Sequence, residues 1–489
     1  MKVKLTPLDL QERTNTVRAA IHAGERLGLI TSIDGKQLIT VLLSPAAKAV
    51  RCFESPLGDS HYNSMTPAVP QAHWFERTAW DMFGLCPDNH PRLKRTHLHE
   101  PYAGLVPPLA VSAEAVGNRD FHFLRVDGEG LYELPVGPIH AGIIEPGHFR
   151  FSCFGEIIVN LEIHLGYVHR GVEKRLADSP WQNSRFIAEA AASDMAAANA
   201  LANATALESL LAVAVPARAL ALRTIALEVE RVCMHLADLG GLAGDIGFLS
   251  VSSAFSRLRG AALRMADLVA GNRFLRSYIR AGGVSRDLLP ERALELLQIK
   301  NELMHECARV LRFYLDNHVA IDRMEHVGVV THSLAEDFGL VGVAARASGI
   351  DYDCRAVWSQ ELHMPSDYVS VKENDGDVLA RARVRVKEIF ASLELIESLI
   401  SNLPAGPWFL ETTDRLPAND CAISIVESHR GELIHLIFTG ETGNIRRYCI
   451  KDPSANNWTG LAIAVRNNLV ADFPLCNKSF ALSYSGHDL

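Results

Sequence analysis

The residues best suited to acid–base or ligand chemistry are concentrated between positions 133 and 175 of the 489-residue chain. This segment reads ELPVGPIHAGIIEPGHFRFSCFGEIIVNLEIHLGYVHRGVEKR. Its side chains that can donate, accept or ligate include His140, Glu145, His148, Arg150, Glu156, His164, His169, Arg170 and Glu173. Such a segment forms either the wall of a binding site or a structural seam, and the residue types alone leave both open.

Short strands are expected to position these groups. Glycines recur at short intervals and indicate turns and close backbone approach instead of one continuous helix. The alternation in FRFSCFGEIIVNLEIHLGY predicts a β-hairpin with its turn near Phe154 and Gly155. The chemistry-bearing side chains would then lie on a hairpin at a domain junction.

Size and composition limit the class of protein. A length of 489 residues predicts two or three domains, and 48% hydrophobic with 21% charged residues is typical of a globular protein. The net charge of -9 argues against nucleic acid as a partner, because phosphate binding requires a basic face. The sequence shows no signal peptide and no uncharged apolar run of about 18 residues, so we expect a soluble, cytoplasm-facing chain that does not span a membrane. Nine cysteines without a CxxC motif predict reduced thiols.

Residues 1 to about 125 are expected to form a first unit. An amphipathic helix is predicted near Leu8–Leu27 and strands near Gln37–Leu43 and Lys48–Phe53. A further helix is predicted from Trp74 to Phe83, where a glycine follows and ends it.

Three histidines, His90, His97 and His99, follow that helix in the segment DNHPRLKRTHLHEPY. An HxH pair suggests a metal site, but no cysteine accompanies it and Arg and Lys flank it. A strong metal site needs converging ligands, so the pattern favours a polar surface loop.

The middle of the chain, residues 179–320, is predicted to be helical because apolar residues recur there at spacings of three and four. One helix is expected over Pro290–Tyr314 and another over Asp377–Leu403. A four-helix core with the hairpin against one end follows from this pattern. Strands are predicted again from residue 421 onward, with a final helix over Gly460–Val470.

Several motifs in fixed order connect the chain to a known family. These are FERTAWDMFGL…HPRLKR, VGPIHAGIIEPGHFRF, GEIIVNLEIHLGYVHRGVEK, LEVERVCMHLADLGGLAGDIGF, VGVAARASGIDYDCR, ESHRGELIHLIFTG, DPSANNW and DFPLCNKSF. Together they resemble the large subunit of group 4 [NiFe] hydrogenases, the hydrogenase-4 and formate-hydrogenlyase type. They are similar as well to the fused C and D subunits of NADH:quinone oxidoreductase, complex I.

The resemblance implies two domains and a fold class. Residues 1–125 would form a domain like the C-type subunit of complex I, and residues 126–489 a domain like the D-type or hydrogenase large subunit. The implied class is α+β: an N-terminal α/β domain followed by a helical bundle with β-hairpins at its N- and C-terminal ends.

The resemblance also shows where a metal centre would lie. In [NiFe] members of the family two CxxC pairs supply four thiolates, and soft sulfur is the ligand class that such a centre needs. The first pair falls on Ala192 and Met195 and the second on Ser483 and Gly486, with Ala481 in place of the family's Asp. We therefore expect no nickel–iron centre and no metal bound by these residues.

Complex I lacks those cysteines as well and binds the quinone headgroup in the emptied cavity, through a histidine on the hairpin and a tyrosine on the first long helix. Here Ile144 takes the histidine position, and Ser193 or Asp194 stands near the tyrosine position. A quinone is thus a possible ligand that would need other contacts. The expected quinone-site residues are His140, Ile144, His148, Ser193, Asp194 and Ser483.

Two residues are expected to carry the chemistry, Glu145 and Arg430. Arg430 matches the arginine that leans over the metal site in hydrogenases, where a fixed guanidinium can donate to an anion or a quinone oxygen. The alternative for Arg430 is a structural ion pair with Glu427 or Glu432. Glu145 lies near the proton-gate carboxylate of the family and could relay protons, or it could bond to a helix end. His140 can also be read as a structural imidazole bonded to the backbone.

The motif HRGVEK suggests a surface for a partner. His169, Arg170 and Glu173 are expected to face a small subunit that carries a [4Fe–4S] cluster, because the family places that cluster near this region. The family also implies membrane-arm partners and a peripheral position on the cytoplasmic side of the inner membrane. NAD is a family-level association only, since no GxGxxG follows a strand.

Two functions follow from the resemblance. The first is a catalytic-type large subunit that takes electrons from the small-subunit cluster and directs them toward quinone or couples them to proton movement. The alternative is a redox-inactive structural subunit that retains only the assembly interfaces.

Overall fold

The computed structural model describes residues 1–99, 107–110, 121–140, 144–358, 362–413 and 415–489. The described strands are β1 (Leu5–Pro7), β2 (Arg26–Thr31), β3 (Gln37–Ser44), β4 (Ala49–Pro56), β5 (His61–Asn63), β6 (Cys86–Asp88), β7 (Leu131–Val136), β8 (His148–Phe154), β9 (Ile157–His164), β10 (Ile279–Arg280), β11 (Gly283–Val284), β12 (Cys421–Ser428), β13 (Gly431–Thr439) and β14 (Ile445–Lys451).

The described α-helices are α1 (Leu10–His22), α2 (His73–Phe83), α3 (Val172–Asp178), α4 (Ser184–Ala188), α5 (Ala196–Leu211), α6 (Ala217–Asp245), α7 (Leu249–Ala270), α8 (Pro290–Leu315), α9 (His318–Asp322), α10 (His332–Asp337), α11 (Gly342–Ala347), α12 (Cys354–Val357), α13 (Val378–Ser401), α14 (Pro453–Ala464), α15 (Phe473–Phe480) and α16 (Tyr484–His487).

The N-terminal unit is a four-stranded sheet in the order β1-β4-β3-β2, with β1 parallel to β4. The first helix is shorter than predicted: α1 ends at His22 and the chain turns at Gly24, which has a φ of +85°. The residues Arg26–Thr31 then form the strand β2, which pairs with β3. This run is largely buried, so side chains on both faces of the strand lie inside the protein. The strands β3 and β4 and the helix α2 confirm their predictions.

The loop after α2 differs from the prediction of a surface loop. His97 is 8% exposed, and its backbone N–H donates to Asp81 Oδ2 at 2.8 Å. The same carboxylate oxygen also accepts from the backbone N–H groups of Thr96 and Leu98. A single buried acid therefore folds the histidine-containing loop inward, and the surface-loop interpretation is wrong for His97.

The predicted hairpin is present as β8 and β9, joined at Gly155 and Glu156. A third strand, β7, pairs antiparallel with β8 and completes a three-stranded sheet. The alternating side chains of β8 and β9 place Phe149, Phe151 and Leu161 in the main core. The polar side chains of these strands are also mostly buried, among them His148, Glu162 and His164.

The helical body is built around α6, which packs against α7 and α13, while α8 packs against both of these. The predicted helical region 179–320 is interrupted near its start, because α4 ends at Ala188 and α5 begins at Ala196. Glu230 of α6 caps the new start: its carboxylate accepts from the backbone N–H groups of Ala197 and Ala198 at 2.7 and 3.1 Å. The helix α5 packs mainly against the strands β12 and β13. The four-helix core therefore consists of α6, α7, α8 and α13.

The C-terminal sheet has the order β12-β13-β14 and confirms the predicted strands. The final helix was predicted too late: α14 starts at Pro453, because Asp452 caps it by accepting from the Ser454 backbone N–H at 2.8 Å and proline suits the first position. One face of this sheet shares a core with the N-terminal sheet through Ile423, Ile434 and their neighbours.

The α+β class, with strands at both ends of a helical body, is confirmed. Within the described residues, no helix combines the length and apolarity that crossing a membrane requires. The boundary between residues 125 and 126 stays a prediction.

Candidate functional site

Arg430 occupies the short turn between β12 and β13, and it is paired with Asp194. Its Nη1 and Nη2 donate to the two carboxylate oxygens of Asp194 at 2.9 and 2.5 Å, and its Nε donates to the carbonyl oxygen of Ala481. Ser428 shapes the turn by accepting from the Arg430 backbone N–H at 3.2 Å. The pair joins the C-terminal hairpin to the break before α5.

The two members of this pair differ in exposure. The Arg430 side chain is 8% exposed, whereas that of Asp194 is 38% exposed. Burial acts to raise the pKa of Asp194, but the guanidinium outweighs it and lowers the pKa below its ordinary value. Burial likewise acts to lower the pKa of Arg430, and Asp194 raises it above its ordinary value. The site therefore contains a fixed ion pair whose carboxylate faces outward.

The sequence-based alternative paired Arg430 with Glu427 or Glu432, and the structure assigns those two residues to other cations. Glu427 accepts from Arg346 at 2.7 Å, and Glu432 accepts from Lys451 at 2.5 Å. Asp194, predicted separately as a quinone contact, is the partner instead.

Glu145 approaches the same region from the N-terminal hairpin. Its Oε2 accepts from the Ser485 backbone N–H at 2.9 Å, which is the bond to a helix end that the sequence left open. The neighbouring residue, Ile144, is 38% exposed. Gly147 allows this approach, because an added Cβ there would lie 2.5 Å from the Tyr484 ring.

The four positions where thiolates hold nickel and iron lie together but do not fit those metals. Ala192 and Met195 are fully buried, and Ser483 caps α16 by accepting from the Gly486 backbone N–H at 2.9 Å. Gly486 packs so closely that an added Cβ would lie 2.3 Å from Asp452 Oδ2. This donor set offers no thiolate and therefore does not fit a nickel–iron centre.

Asp452 is a residue of this site that sequence reasoning missed. It is 3% exposed, and burial raises the pKa of its carboxyl while Arg430 opposes that rise. The DPS motif was the available signal, because an Asp before Pro and Ser predicts a helix cap. In the structure the carboxylate of this cap lies beside Gly486.

The remaining predicted quinone-site residues lie in different surroundings. His140 Nε2 donates to the Gly147 carbonyl at 2.8 Å, and His148 Nδ1 donates to the Gly137 carbonyl at 3.2 Å. Both imidazoles therefore stabilise the backbone at the base of the hairpin. Ser193 is exposed in the break before α5. Asp194, Arg430, Ser483 and Glu145 are connected through the C-terminal tail.

The HRGVEK residues make contacts within the chain. Arg170 donates to the carbonyls of Ala190 and Ala191, each at 2.7 Å, and to that of Ser485 at 3.2 Å. Glu173 accepts from Arg447 at 2.7 Å and from the backbone N–H of Ile450 at 2.8 Å. The ring of His169 stacks on that of His97 at 5.6 Å. Contact of these residues with a small subunit stays a prediction.

A buried charge network lies behind the Arg430 turn. Arg346 donates to Glu427 and, at 2.6 Å, to Glu388, which also bonds to His235 at 2.7 Å. Burial acts to raise the pKa of Glu388, but Arg346 outweighs it and holds the pKa well below its ordinary value. Burial and then Asp353 raise the pKa of Glu427. The members, all buried, are Glu228, Arg231, His235, Arg346, Asp353, Arg355, Glu388 and Glu427.

Comparison with known proteins agrees with this architecture. Residues 3–116 match the family described as respiratory-chain NADH dehydrogenase, 30 Kd subunit, and residues 245–420 match the 49 Kd subunit of the same enzyme. Formate hydrogenlyase subunit 5 of Escherichia coli (strain K12) is 30% identical over 480 residues, which are 93% of this chain and 82% of that protein. Hydrogenase-4 component G of the same organism is 30% identical over 442 residues, covering 87% of this chain and 76% of that protein.

A solved structure, that of the membrane-bound sulfane sulfur reductase, an archaeal respiratory membrane complex, shares the fold. Its TM-score is 0.69 at 24% identity, covering 74% of this chain and 99% of that one. Fold, motif order and matches define a chain that fuses the C-type and D-type subunits. It belongs to the family of group 4 [NiFe]-hydrogenase large subunits, the hydrogenase-4 and formate-hydrogenlyase type, which is related to the fused C/D subunits of NADH:quinone oxidoreductase.

Proposed function

We propose that this chain is the catalytic-type large subunit of a membrane-associated oxidoreductase that works without a nickel–iron centre. It sits peripherally on the cytoplasmic side of the inner membrane, beside a small subunit with a [4Fe–4S] cluster and next to membrane-arm subunits. It receives electrons from that cluster and directs them to quinone or couples them to proton movement. The hydrogenase and respiratory-complex names of its relatives support the assembly, and the site geometry supports the chemistry.

The Arg430–Asp194 pair is the observation that carries the proposal. Reduction of a quinone places negative charge on a carbonyl oxygen, and a preorganised buried cation stabilises such charge strongly. Asp194 and Ala481 hold the guanidinium in one orientation, and each terminal nitrogen has a second N–H left for a substrate oxygen. The half-exposed Asp194 marks the side from which the substrate would approach.

Proton coupling is supported by the buried charge network. Glu427 lies on the same hairpin as Arg430, and hydrogen bonds connect it through Arg346 and Glu388 to His235. The pKa of Glu427 is raised and that of Glu388 is lowered, so neighbouring carboxylates differ in their affinity for a proton. A change of charge at the Arg430 turn would therefore shift proton occupancy in the network.

The test is quinone reduction by the assembled complex in membranes that contain Arg430→Lys or Asp194→Asn. Arg430→Lys keeps the charge but removes the two-nitrogen contact, so we expect turnover to fall about 100-fold with assembly intact. The matched control is Arg150→Lys, which alters an exposed pair with Glu133 on the N-terminal hairpin sheet. Wild-type turnover in both site variants would contradict the assignment of this site.

A structural subunit is the second candidate function, and one observation favours it. The polar groups around the former metal positions each have a partner within the chain: Glu145 accepts from Ser485, Ser483 accepts from Gly486, and Arg430 donates to Asp194. This candidate predicts that deleting the chain prevents assembly of the complex, whereas the Arg430 and Asp194 variants change neither assembly nor electron transfer.

A further inference from the structure

Three side chains from opposite ends of the chain meet beside the C-terminal tail. His97 belongs to the loop after α2, His487 is the last residue of α16, and Asp488 follows it. One potential ligand atom from each lies within 4.8 Å of the other two. Their exposures are 8%, 5% and 0%, so the cluster is inside the protein.

Polar atoms of this cluster have no partner among the described residues. These are Nδ1 of His97, both ring nitrogens of His487 and Oδ1 of Asp488. Buried polar atoms in proteins are nearly always hydrogen-bonded, because leaving them unpaired costs free energy. Their concentration at one point indicates a group that all three residues bind.

Backbone contacts and close packing restrict this cluster, most directly at Asp488. Oδ2 of Asp488 accepts from the backbone N–H groups of Gly166 and Val168 at 2.8 and 3.2 Å, which leaves Oδ1 directed elsewhere. Gly166 lets the His97 loop pack directly on it, since an added Cβ would lie 2.7 Å from the His97 carbonyl oxygen. The ring of Trp74 meets His487 edge-on at 4.9 Å and forms an apolar wall. Fixed orientation of this kind is typical of ligand residues.

We propose that His97, His487 and Asp488 bind a divalent transition-metal ion of the zinc type, which clamps the C-terminal tail to the N-terminal domain. This site is separate from the Arg430 site and does not depend on the proposed redox function.

The donor set selects this class of ion. Imidazole nitrogen with carboxylate oxygen suits Zn²⁺ and its neighbours, whereas Mg²⁺ and Ca²⁺ prefer oxygen ligands throughout and Cu⁺ prefers sulfur. Metal–ligand bonds of about 2.0–2.2 Å place any two ligand atoms at most roughly 4.4 Å apart. The ligand atoms here lie within 4.8 Å of one another, so small side-chain rotations bring them to the distances that a metal ion requires. His169 stacks on His97 at 5.6 Å with its Nδ1 also unpartnered in the described chain, and it is a candidate for a fourth ligand.

A second cluster in the same chain provides a control. His61, Cys86 and Asp88 also bring ligand atoms within 4.8 Å of one another. That cluster is largely exposed, and His61 Nδ1 already lies 2.9 Å from Asp88 Oδ1. Its geometry is explained by an ordinary surface hydrogen bond.

The experiment uses the full chain, purified without chelator, stripped, and then titrated with Zn²⁺ and with Co²⁺ as a spectroscopic probe. We expect stoichiometric Zn²⁺ by elemental analysis, visible Co²⁺ absorption bands of nitrogen–oxygen ligation, and a higher Tm with metal. His487→Gln, His97→Gln and Asp488→Asn should each weaken binding about 10- to 100-fold or more. His61→Ala should leave binding unchanged.

Two results would overturn the proposal. One is a wild-type chain that gives neither a bound Co²⁺ spectrum nor a Tm response to Zn²⁺, a measurement that needs no variant to fold. The other is binding in His487→Gln as tight as in wild type, or binding that His61→Ala abolishes, because the metal would then lie elsewhere.

Discussion

Arg346 is the residue whose replacement tests the buried charge network most directly. Its side chain is 0% exposed, and it donates to Glu427 at 2.7 Å, to Glu388 at 2.6 Å and to the Tyr352 carbonyl at 3.2 Å. The substitution Arg346→Met keeps a side chain of similar length and removes the charge. Two buried carboxylates then lose their main counter-ion.

The expected magnitude follows from this geometry. Removing one partner of a buried ion pair leaves an uncompensated charge and costs about 3–5 kcal/mol. Glu388 keeps its hydrogen bond to His235 at 2.7 Å, and the cations Arg231 and Arg355 lie 3.6 and 3.7 Å from its carboxylate. These contacts partly offset the loss of the Arg346 charge. We therefore expect the free energy of unfolding to fall by about 3 kcal/mol at neutral pH, the lower end of that range.

The pH dependence has a definite sign. In the wild type the pKa of Glu388 is lowered, so its stabilising contribution is complete above the ordinary carboxyl pKa and is lost as pH falls through the low folded value. Without Arg346 the carboxylate becomes costly, and protonation relieves that cost. The penalty of Arg346→Met should therefore shrink below about pH 4.

Urea unfolding monitored by circular dichroism measures the penalty, and a double-mutant cycle assigns its cause. Adding Glu427→Gln to Arg346→Met removes one of the uncompensated charges, so the combined loss should be smaller than the sum of the single losses. The control is Arg383→Met on the same helix as Glu388, whose exposed pair with Asp375 at 4.0 Å is expected to matter by less than about 1 kcal/mol. Strict additivity, or equal losses for Arg346→Met and Arg383→Met, would refute the reasoning.

Two further predictions concern glycine packing and the pH dependence of stability. Gly342→Ala should destabilise the fold by more than about 3 kcal/mol, because the added Cβ would lie 1.9 Å from the Arg430 carbonyl oxygen and φ is +62°. Gly260→Ala, in an open position of α7, should stabilise by about 0.5–1 kcal/mol; comparable Tm values for the two variants would contradict this. Burial raises the pKa of Glu230 to about 8, above its unfolded value, so the contribution of this group to stability should fall as pH rises from about 4 through 8. Glu230→Gln should flatten that decline in Tm measured between pH 6 and 9, and an unchanged slope would contradict the assignment to Glu230.

Local signals in the sequence predicted much of the secondary structure. The alternation of β8 and β9, the glycine after Phe83 and the Asp377 cap of α13 act over a few residues, so a pattern can show them. The break between α4 and α5 was not predicted, because Glu230, which caps the new start at Ala196, lies on another helix. The helix near Leu8–Leu27 overran because Leu27 belongs to a strand whose partner lies outside that local window.

For the candidate site too, some features could be predicted from the sequence and others required the tertiary structure. The sequence by itself determined the family and the missing thiolates at Ala192 and Met195, because ordered motifs encode these. Only the tertiary structure decided that Asp194 is the partner of Arg430 and that His97 meets His487. Those pairings depend on the packing of segments that are far apart in the chain, and no local pattern of residue types contains that information.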